Sequence, residues 1–346
     1  MMAMLPKNGA MRFLWIVAWF FGLTVVEAAE PEIRIQFRKL AGSAAEGAAI
    51  ELAPAGSFAD RWMTCPTLLK DGNRYRLWFS SFYDTLHEPG GIGEAESDDG
   101  VVWRRANKPA LTLGPAGSLD AGQVLAPEVL RDGDRWLMWY TGMPNEGRTS
   151  GIGYYRVFLA TSKDGHEWHR ANNGMPVLDV GPRDSPDEVQ AATPSILKTE
   201  TGYRMWYAAW SPRWNHTICV ANSSDGVQWR RENEGQPVRG LSPPIAFGHA
   251  VTRYGDDLLM LYMVLKSKPG LYAARSRDGI EWTMISNDPV ITPGVAGSFD
   301  DTIVGHPCWL RDGERWLIAY GTHQRGPGKI QNWKARIGFA EARIQK

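Results

Sequence analysis

The chain spells Ser-x-Asp-Gly-x-x-Trp four times, at residues 97–103, 162–168, 223–229 and 276–282, so one structural unit is repeated. A second signature precedes each copy and occurs a fifth time: an apolar run, a polar turn, then an aromatic strand. Its five centres are Leu77-Trp78-Phe79, Met138-Trp139-Tyr140, Met205-Trp206-Tyr207, Leu261-Tyr262-Met263 and Ile318-Ala319-Tyr320. Each is followed by a loop and a further short apolar strand, at 92–95, 158–161, 218–221, 271–274 and 337–340. Short strands rich in Trp, Tyr, Val and Ile, separated by Asp-Gly or Gly turns, predict antiparallel all-β structure. No long helical periodicity competes. A unit of roughly 50 to 65 residues with four strands has the size of a propeller blade, and radial repetition protects sheet edges that would otherwise be exposed. The predicted fold is an all-β, five-bladed β-propeller of four-stranded antiparallel blades.

The fifth unit ends without the Asp-Gly-x-x-Trp strand that closes the other four. The alternating segment Glu32-Ile33-Arg34-Ile35-Gln36-Phe37-Arg38-Lys39 precedes Pro54-Ala55-Gly56-Ser57, just as Trp strands precede Pro115-Ala116-Gly117-Ser118 and Val295-Ala296-Gly297-Ser298. Phe37 therefore stands where the other blades have Trp, and this N-terminal strand is expected to complete the last blade and close the ring.

Residues 1–28 read as a signal peptide: Lys7 and Arg12 lead an apolar stretch, and Val26-Glu27-Ala28 offers a small-residue cleavage site. A single-pass anchor is the alternative, although the stretch is short for a membrane span. Residues 29–346 then form a single domain of a secreted or periplasmic protein. The 38 basic and 38 acidic residues balance, which argues against a nucleic acid or an anionic membrane as partner. Three cysteines, Cys65, Cys219 and Cys308, are too few for a disulfide framework.

The strand order sorts the repeat by face. Loops entering the first strands share one face with the loops joining second to third strands, and the Ser-x-Asp-Gly turns lie opposite. Those turns read as structural, with Asp and Ser bonding turn amides, Gly at positive φ and Trp packing between blades. Marker prolines in Cys65-Pro66-Thr67, Ala126-Pro127-Glu128, Thr193-Pro194-Ser195 and His306-Pro307-Cys308, with His249 in their place in blade four, set the first-strand register. Strand alternation then turns Cys65, Thr67, Ala126, Glu128, Thr193, Ser195, Gly248, Ala250, His306 and Cys308 to the axis. Glu128 is the lone carboxylate among them. It is expected either to exchange a proton in a dry channel or to bond a neighbouring blade.

Asp60, Asp120, Asp187 and Asp300 form a second ring, six or seven residues before each marker proline, with Asp187-Glu188 and Asp300-Asp301 doubled. A turn role and an acid or base role both fit. The loops on the same face carry Asp84, His87 and Glu88; Asn145, Glu146 and Arg148; Trp210, Arg213, Trp214, Asn215 and His216; and His323, Gln324 and Arg325. Aromatic faces beside forked polar donors suit sugars. No CxxC or HxxxH spacing marks a metal site and no cofactor motif occurs, which leaves open a structural cation on the axis.

The Trp-Tyr second strands and the Asp-Gly-x-x-Trp turns with following Pro176-Val177, Pro237-Val238 and Pro289-Val290 resemble the arabinanase, invertase and levansucrase superfamily of five-bladed glycosidases. Those families place an Asp directly before the first-strand proline of blade one and further acids in blades two and three. Cys65, Ala126 and Thr193 occupy those positions here, so the family's catalytic acids do not carry over. The resemblance implies a glycoside hydrolase or related carbohydrate-active enzyme; the acid and base candidates, Glu128, Asp60, Asp187 and Glu188, come from the strand register and the ring of acids instead. Asp120, Trp210, Arg213, Trp214, His216, His249, Asp300, His306 and His323 are the substrate-binding candidates. The alternative is a propeller that binds glycans or a protein without catalysis.

Overall fold

The computed structural model describes residues 33–82, 89–146, 154–245, 247–326 and 333–345. The signal-peptide reading of residues 1–28 and the loop candidates Asp84, His87, Glu88 and Arg148 fall outside the described residues. An N-terminal strand β1 (Arg34–Leu40) precedes the first unit, β2 (Trp62–Asp71), β3 (Arg74–Phe82), β4 (Pro89–Ser97) and β5 (Arg104–Arg105). Unit two is β6 (Gln123–Asp132), β7 (Arg135–Met143), β8 (Arg156–Ser162) and β9 (His169–Arg170); unit three is β10 (Gln190–Thr199), β11 (Gly202–Ser211), β12 (Asn215–Ser223) and β13 (Arg230–Arg231). Unit four is β14 (His249–Tyr254), β15 (Asp257–Val264), β16 (Gly270–Ser276) and β17 (Thr283–Met284). Then come β18 (Ile303–Asp312), β19 (Arg315–Gln324) and β20 (Lys334–Gln345). Within each unit consecutive strands pair antiparallel, an all-β arrangement consistent with a propeller.

β1 pairs antiparallel with β20 from Arg34↔Gln345 to Leu40↔Phe339, supplying the fourth strand that unit five lacks in sequence order. Phe37 packs 6.1 Å from Trp309, in the apolar cluster that joins units four and five. Trp168 likewise stands edge-on to Trp78 of unit one, Trp229 to Trp139 of unit two, and Trp103 stacks on Phe339 of unit five. Ring pairs thus pack at the joints of unit one with two, two with three and five with one.

The Ser-x-Asp-Gly turns behave as expected. Asp99 accepts the N–H groups of Val101 and Val102 at 2.8 Å while Ser97 Oγ accepts that of Gly100 at 2.8 Å. Gly100, Gly165, Gly226 and Gly279 take φ between 74° and 78°, where a side chain would be strained. The turns also receive bonds from the preceding unit, since Trp139 Nε1 donates to Gly226 O and Trp206 Nε1 to Gly279 O, both at 2.9 Å.

The first strands depart from simple alternation. β2, β6, β10 and β18 each break register at the marker proline, between Thr64 and Thr67, Leu125 and Glu128, Ala192 and Ser195, and Gly305 and Cys308. Proline has no N–H for a central ladder, and a bulge removes it from the pairing. The preceding residue takes up the turn in the left-handed region: φ is 48° at Cys65 and Ala126, 44° at Thr193 and 45° at His306.

Candidate functional site on the strand axis

Because of these bulges, the residues that meet on the axis differ from those that alternation predicts. The axial cavity is lined by Cys65, Pro66, Ala126, Pro127, Glu128, Thr193, Pro194, Gly248, His249, His306 and Pro307. Thr67, Ser195, Ala250 and Cys308, expected there, are buried but not in the lining, and of the residues at this position only the longer Glu128 lines the cavity. The free volume of about 30 Å³ admits a water or two, so a larger ligand could present only a small group to this floor.

Glu128 is the one carboxylate in the lining, and no lysine or arginine joins it among the described residues. Its Oε1 accepts the Ile196 N–H at 3.0 Å and its Oε2 lies 3.5 Å from the donating Thr67 hydroxyl. Burial pushes the carboxyl up to about 7, and those two bonds offset part of the rise. Burial acts oppositely on His249 and His306, which fall to about 4 and are neutral at pH 7. His306 needs Gly248 opposite it, since a Cβ there would meet the His306 Cα and N at 2.6 Å. Cys65 and Cys308 are free thiols, pushed up to about 12 by burial, and stay protonated. Among the described residues no group of three His, Cys, Asp or Glu side chains could hold a metal ion.

The ring of aspartates does not line this cavity and divides into two classes. Asp120 and Asp187 are fully buried clamps. Asp120 accepts Tyr140 OH at 2.8 Å, Arg170 Nε at 2.7 Å and Ser118 Oγ at 2.8 Å. Asp187 accepts Tyr207 OH at 2.9 Å, Arg231 Nε at 2.7 Å and Ser185 Oγ at 2.9 Å. Asp300 repeats the arrangement with Ser298 at 2.9 Å and, from β1, Lys39 at 2.5 Å. Lys39 lies two residues after Phe37, as Arg170 and Arg231 lie two after Trp168 and Trp229, so β1 supplies the clamp cation along with the strand. The second class caps turns one residue further on: Asp60 Oδ2 accepts Gly56 N–H at 2.7 Å, Glu188 Oε2 accepts Asp184 N–H at 2.9 Å, and Asp301 Oδ2 accepts Gly297 N–H at 2.9 Å. Asp60, Asp187 and Glu188, expected as acids and bases, and Asp120 and Asp300, expected to bind substrate, thus lie outside the cavity lining in clamp and cap contacts.

The aromatic candidates form a path toward the cavity. Trp210 lies 6.1 Å from His216, His216 lies 4.3 Å from Phe247, and the Phe247 carbonyl accepts the hydroxyl of the lining residue Thr193 at 3.1 Å. Trp214 is half-buried with Nε1 donating to Asp184 O at 3.1 Å, and Arg213 is exposed beside it. His323 stands edge-on to Trp62 at 5.0 Å rather than in the lining, and burial lowers it to about 4.

No family model matches the chain. An uncharacterised protein of Mycobacterium tuberculosis is 27% identical over 266 residues, covering 72% of this chain and 85% of that one. An A type blood N-acetyl-alpha-D-galactosamine deacetylase of Flavonifractor plautii is 27% identical over 199 residues, which are 52% of this chain and 24% of that one. Among solved structures, a glycoside hydrolase superposes with a TM-score of 0.68 at 18% identity, over 88% of this chain and 92% of that one. An N-acetylgalactosamine deacetylase from F. plautii, in complex with blood group B trisaccharide, superposes with a TM-score of 0.63 at 16% identity over 89% and 95%. At these identities the likeness establishes the fold, that of the glycoside hydrolase β-propellers.

Proposed function

We propose that this chain is a carbohydrate-active hydrolase, a five-bladed propeller closed into a ring by β1, which works at the axial cavity with Glu128 as its proton carrier. The observation that carries the reading is Glu128 itself: a half-buried carboxyl that desolvation raises to about 7, in a cavity lined by no lysine or arginine among the described residues. A general acid or base works best when its proton affinity lies near the working pH. The group that reaches this floor is then an uncharged part of a sugar, since an anion beside Glu128 would be opposed by the carboxylate and met by neutral imidazoles.

Two bonds could be cut. Glycoside cleavage by the common route needs two carboxyls roughly 5 to 9.5 Å apart, and the described lining holds one. That single carboxylate favours the second reading, removal of an acyl group from a sugar, which also fits the likeness to the deacetylases. Ionised Glu128 would take a proton from the attacking water, an imidazole N–H of His306 or His249 would stabilise the oxygen that gains charge, and Glu128 would return the proton to the departing amine or alcohol. Export through the leader at 1–28, to the secreted or periplasmic space, belongs to the same proposal and is checked by sequencing the N-terminus of the released protein.

The test is a glycan panel read for both reducing ends and released acetate. One of the two products is expected, and Glu128→Gln should slow its release about 10²- to 10⁴-fold while the protein keeps its fold. Glycan binding with neither product formed would leave a binding propeller and end the catalytic reading.

A further inference from the structure

A hydrogen-bonded girdle runs through the first strands. The residue after each marker proline turns its side chain to the next unit, where it accepts a backbone N–H: Thr67 Oγ1 from Val129 at 3.4 Å, Glu128 Oε1 from Ile196 at 3.0 Å, Ser195 Oγ from Val251 at 2.9 Å, and Cys308 Sγ from Leu68 at 3.2 Å. The position in unit four is Ala250, which has no acceptor. Glu128 therefore occupies a joint that Thr, Ser and Cys fill elsewhere. Those residues bring one acceptor atom, and Glu128 brings two.

We propose that the spare oxygen, Oε2, is the atom of Glu128 that exchanges a proton, and that Thr67 is the positioning residue that aims it and tunes its affinity for that proton. Oε1 is fixed by the Ile196 N–H, a bond that persists whether the carboxyl is ionised or protonated on the other oxygen. Oε2 faces the Thr67 hydroxyl. Thr67 is 2% exposed, so water does not replace that partner. The Thr67 oxygen accepts the Val129 N–H at 3.4 Å and faces the Cys308 thiol at 4.0 Å, which leaves its own proton to donate to Oε2. A donated bond favours the ionised form, so Thr67 holds the midpoint of Glu128 below what burial alone would set.

The groups facing Glu128 make the titration readable. Cys308 and Cys65 keep their protons up to about 12, and His249 and His306 stay neutral above about 4. No lysine or arginine lines the cavity among the described residues. Between pH 5 and pH 9 Glu128 is thus the lining group that changes charge.

The proposal deepens the catalytic reading, but its main readout does not need activity. Full-length protein labelled with ¹³C at the glutamate carboxyls is titrated by NMR, with Glu128→Gln to assign the signal. Thr67→Val should move the Glu128 midpoint up by about half to one pH unit, the worth of one ordinary hydrogen bond, as the long 3.5 Å separation implies. Thr67→Ser should leave it within a few tenths. Thr67→Cys, which repeats at this joint the residue unit five uses as Cys308, should fall between and guards against a valine variant that does not fold. The same order, Ser below Cys below Val, is expected in the midpoint of the pH–rate profile. An unchanged midpoint in folded Thr67→Val or Thr67→Cys, or a serine variant displaced as far as valine, would overturn the proposal. Ordered midpoints without any hydrolysis would sink the catalytic reading and leave the positioning role standing.

Discussion

Asp187, fully buried, and Glu128, half-buried at the cavity, are carboxylates contributed by neighbouring units, and they are handled in opposite ways. Asp187 meets Arg231, Tyr207 and Ser185, so its charge is compensated and its oxygens are occupied. Glu128 meets a backbone N–H and a distant hydroxyl, with no cation, and its proton affinity rises instead. A cation compensates the buried charge of the one, and without a cation desolvation favours the protonated form of the other. Burial alone does not separate the two; the partner does.

The largest effect expected follows from removing the clamp. Asp187→Ala leaves Arg231, Tyr207 and Ser185 without their acceptor, and breaking a buried pair from one side costs about 3–5 kcal/mol. Urea denaturation measures it. A loss under 1 kcal/mol would show that Asp187 is no clamp, and a retained fold with a shifted pH–rate midpoint would return it to the chemistry.

Next comes the pH dependence that Glu128 imposes. Its folded value near 7 lies above the unfolded value near 4.5, so folding favours the protonated form. The stability it contributes is present below the unfolded value and is lost as pH rises through the window from 4.5 to about 7. Ionising it in place costs on the order of 3 kcal/mol at pH 8. Glu128→Gln should abolish that decline, so wild type and variant should differ more at pH 8 than at pH 4.5. Parallel stability curves over this range would mean that Glu128 is not raised, and would remove the basis of its proton-carrying role.

The split between these carboxylates is written in the sequence at a finer grain than the ring of aspartates suggests. Asp120, Asp187 and Asp300 stand seven residues before the marker proline, and Asp60, Glu188 and Asp301 stand six before it. One residue separates clamp from cap, and grouping six with seven hides it. The repeat, the missing fourth strand and the equivalence of Phe37 with Trp are legible because each is a recurrence. The bulge is not, because a residue before proline normally favours extended backbone, and only the tertiary need to remove proline from a central strand drives Cys65, Ala126, Thr193 and His306 into the left-handed region. Glu128 stands out in the sequence as the lone axial acid, but its partners belong to other units and no local pattern names them.

Unit one gives the smallest and most specific test, because it has dissolved its own clamp. Gly114, Gly181 and Gly294 stand one residue before the turns that bear Asp120, Asp187 and Asp300, and a Cβ on any of them would lie 1.9–2.2 Å from the aspartate Oδ1. Unit one has Ala53 at that place, Ala59 in place of the aspartate and Phe79 in place of the tyrosine, with Phe79 stacked on Phe58 at 6.4 Å. Arg105, the counterpart of Arg170 and Arg231, remains, and its Nε is buried without a partner. The three changes belong together, since losing the aspartate frees the space that alanine fills. Ala59→Asp alone should therefore destabilise, with its carboxyl driven against the Ala53 methyl. Adding Ala53→Gly and Phe79→Tyr should recover that loss, because the carboxylate then meets both Arg105 and a hydroxyl, each bond being worth about 1 kcal/mol. Thermal melts of the single and triple variants decide it. A triple variant no more stable than Ala59→Asp would show that the clamp depends on more than these four side chains, namely on the backbone at Ala59, whose φ of 65° Asp120, Asp187 and Asp300 do not share.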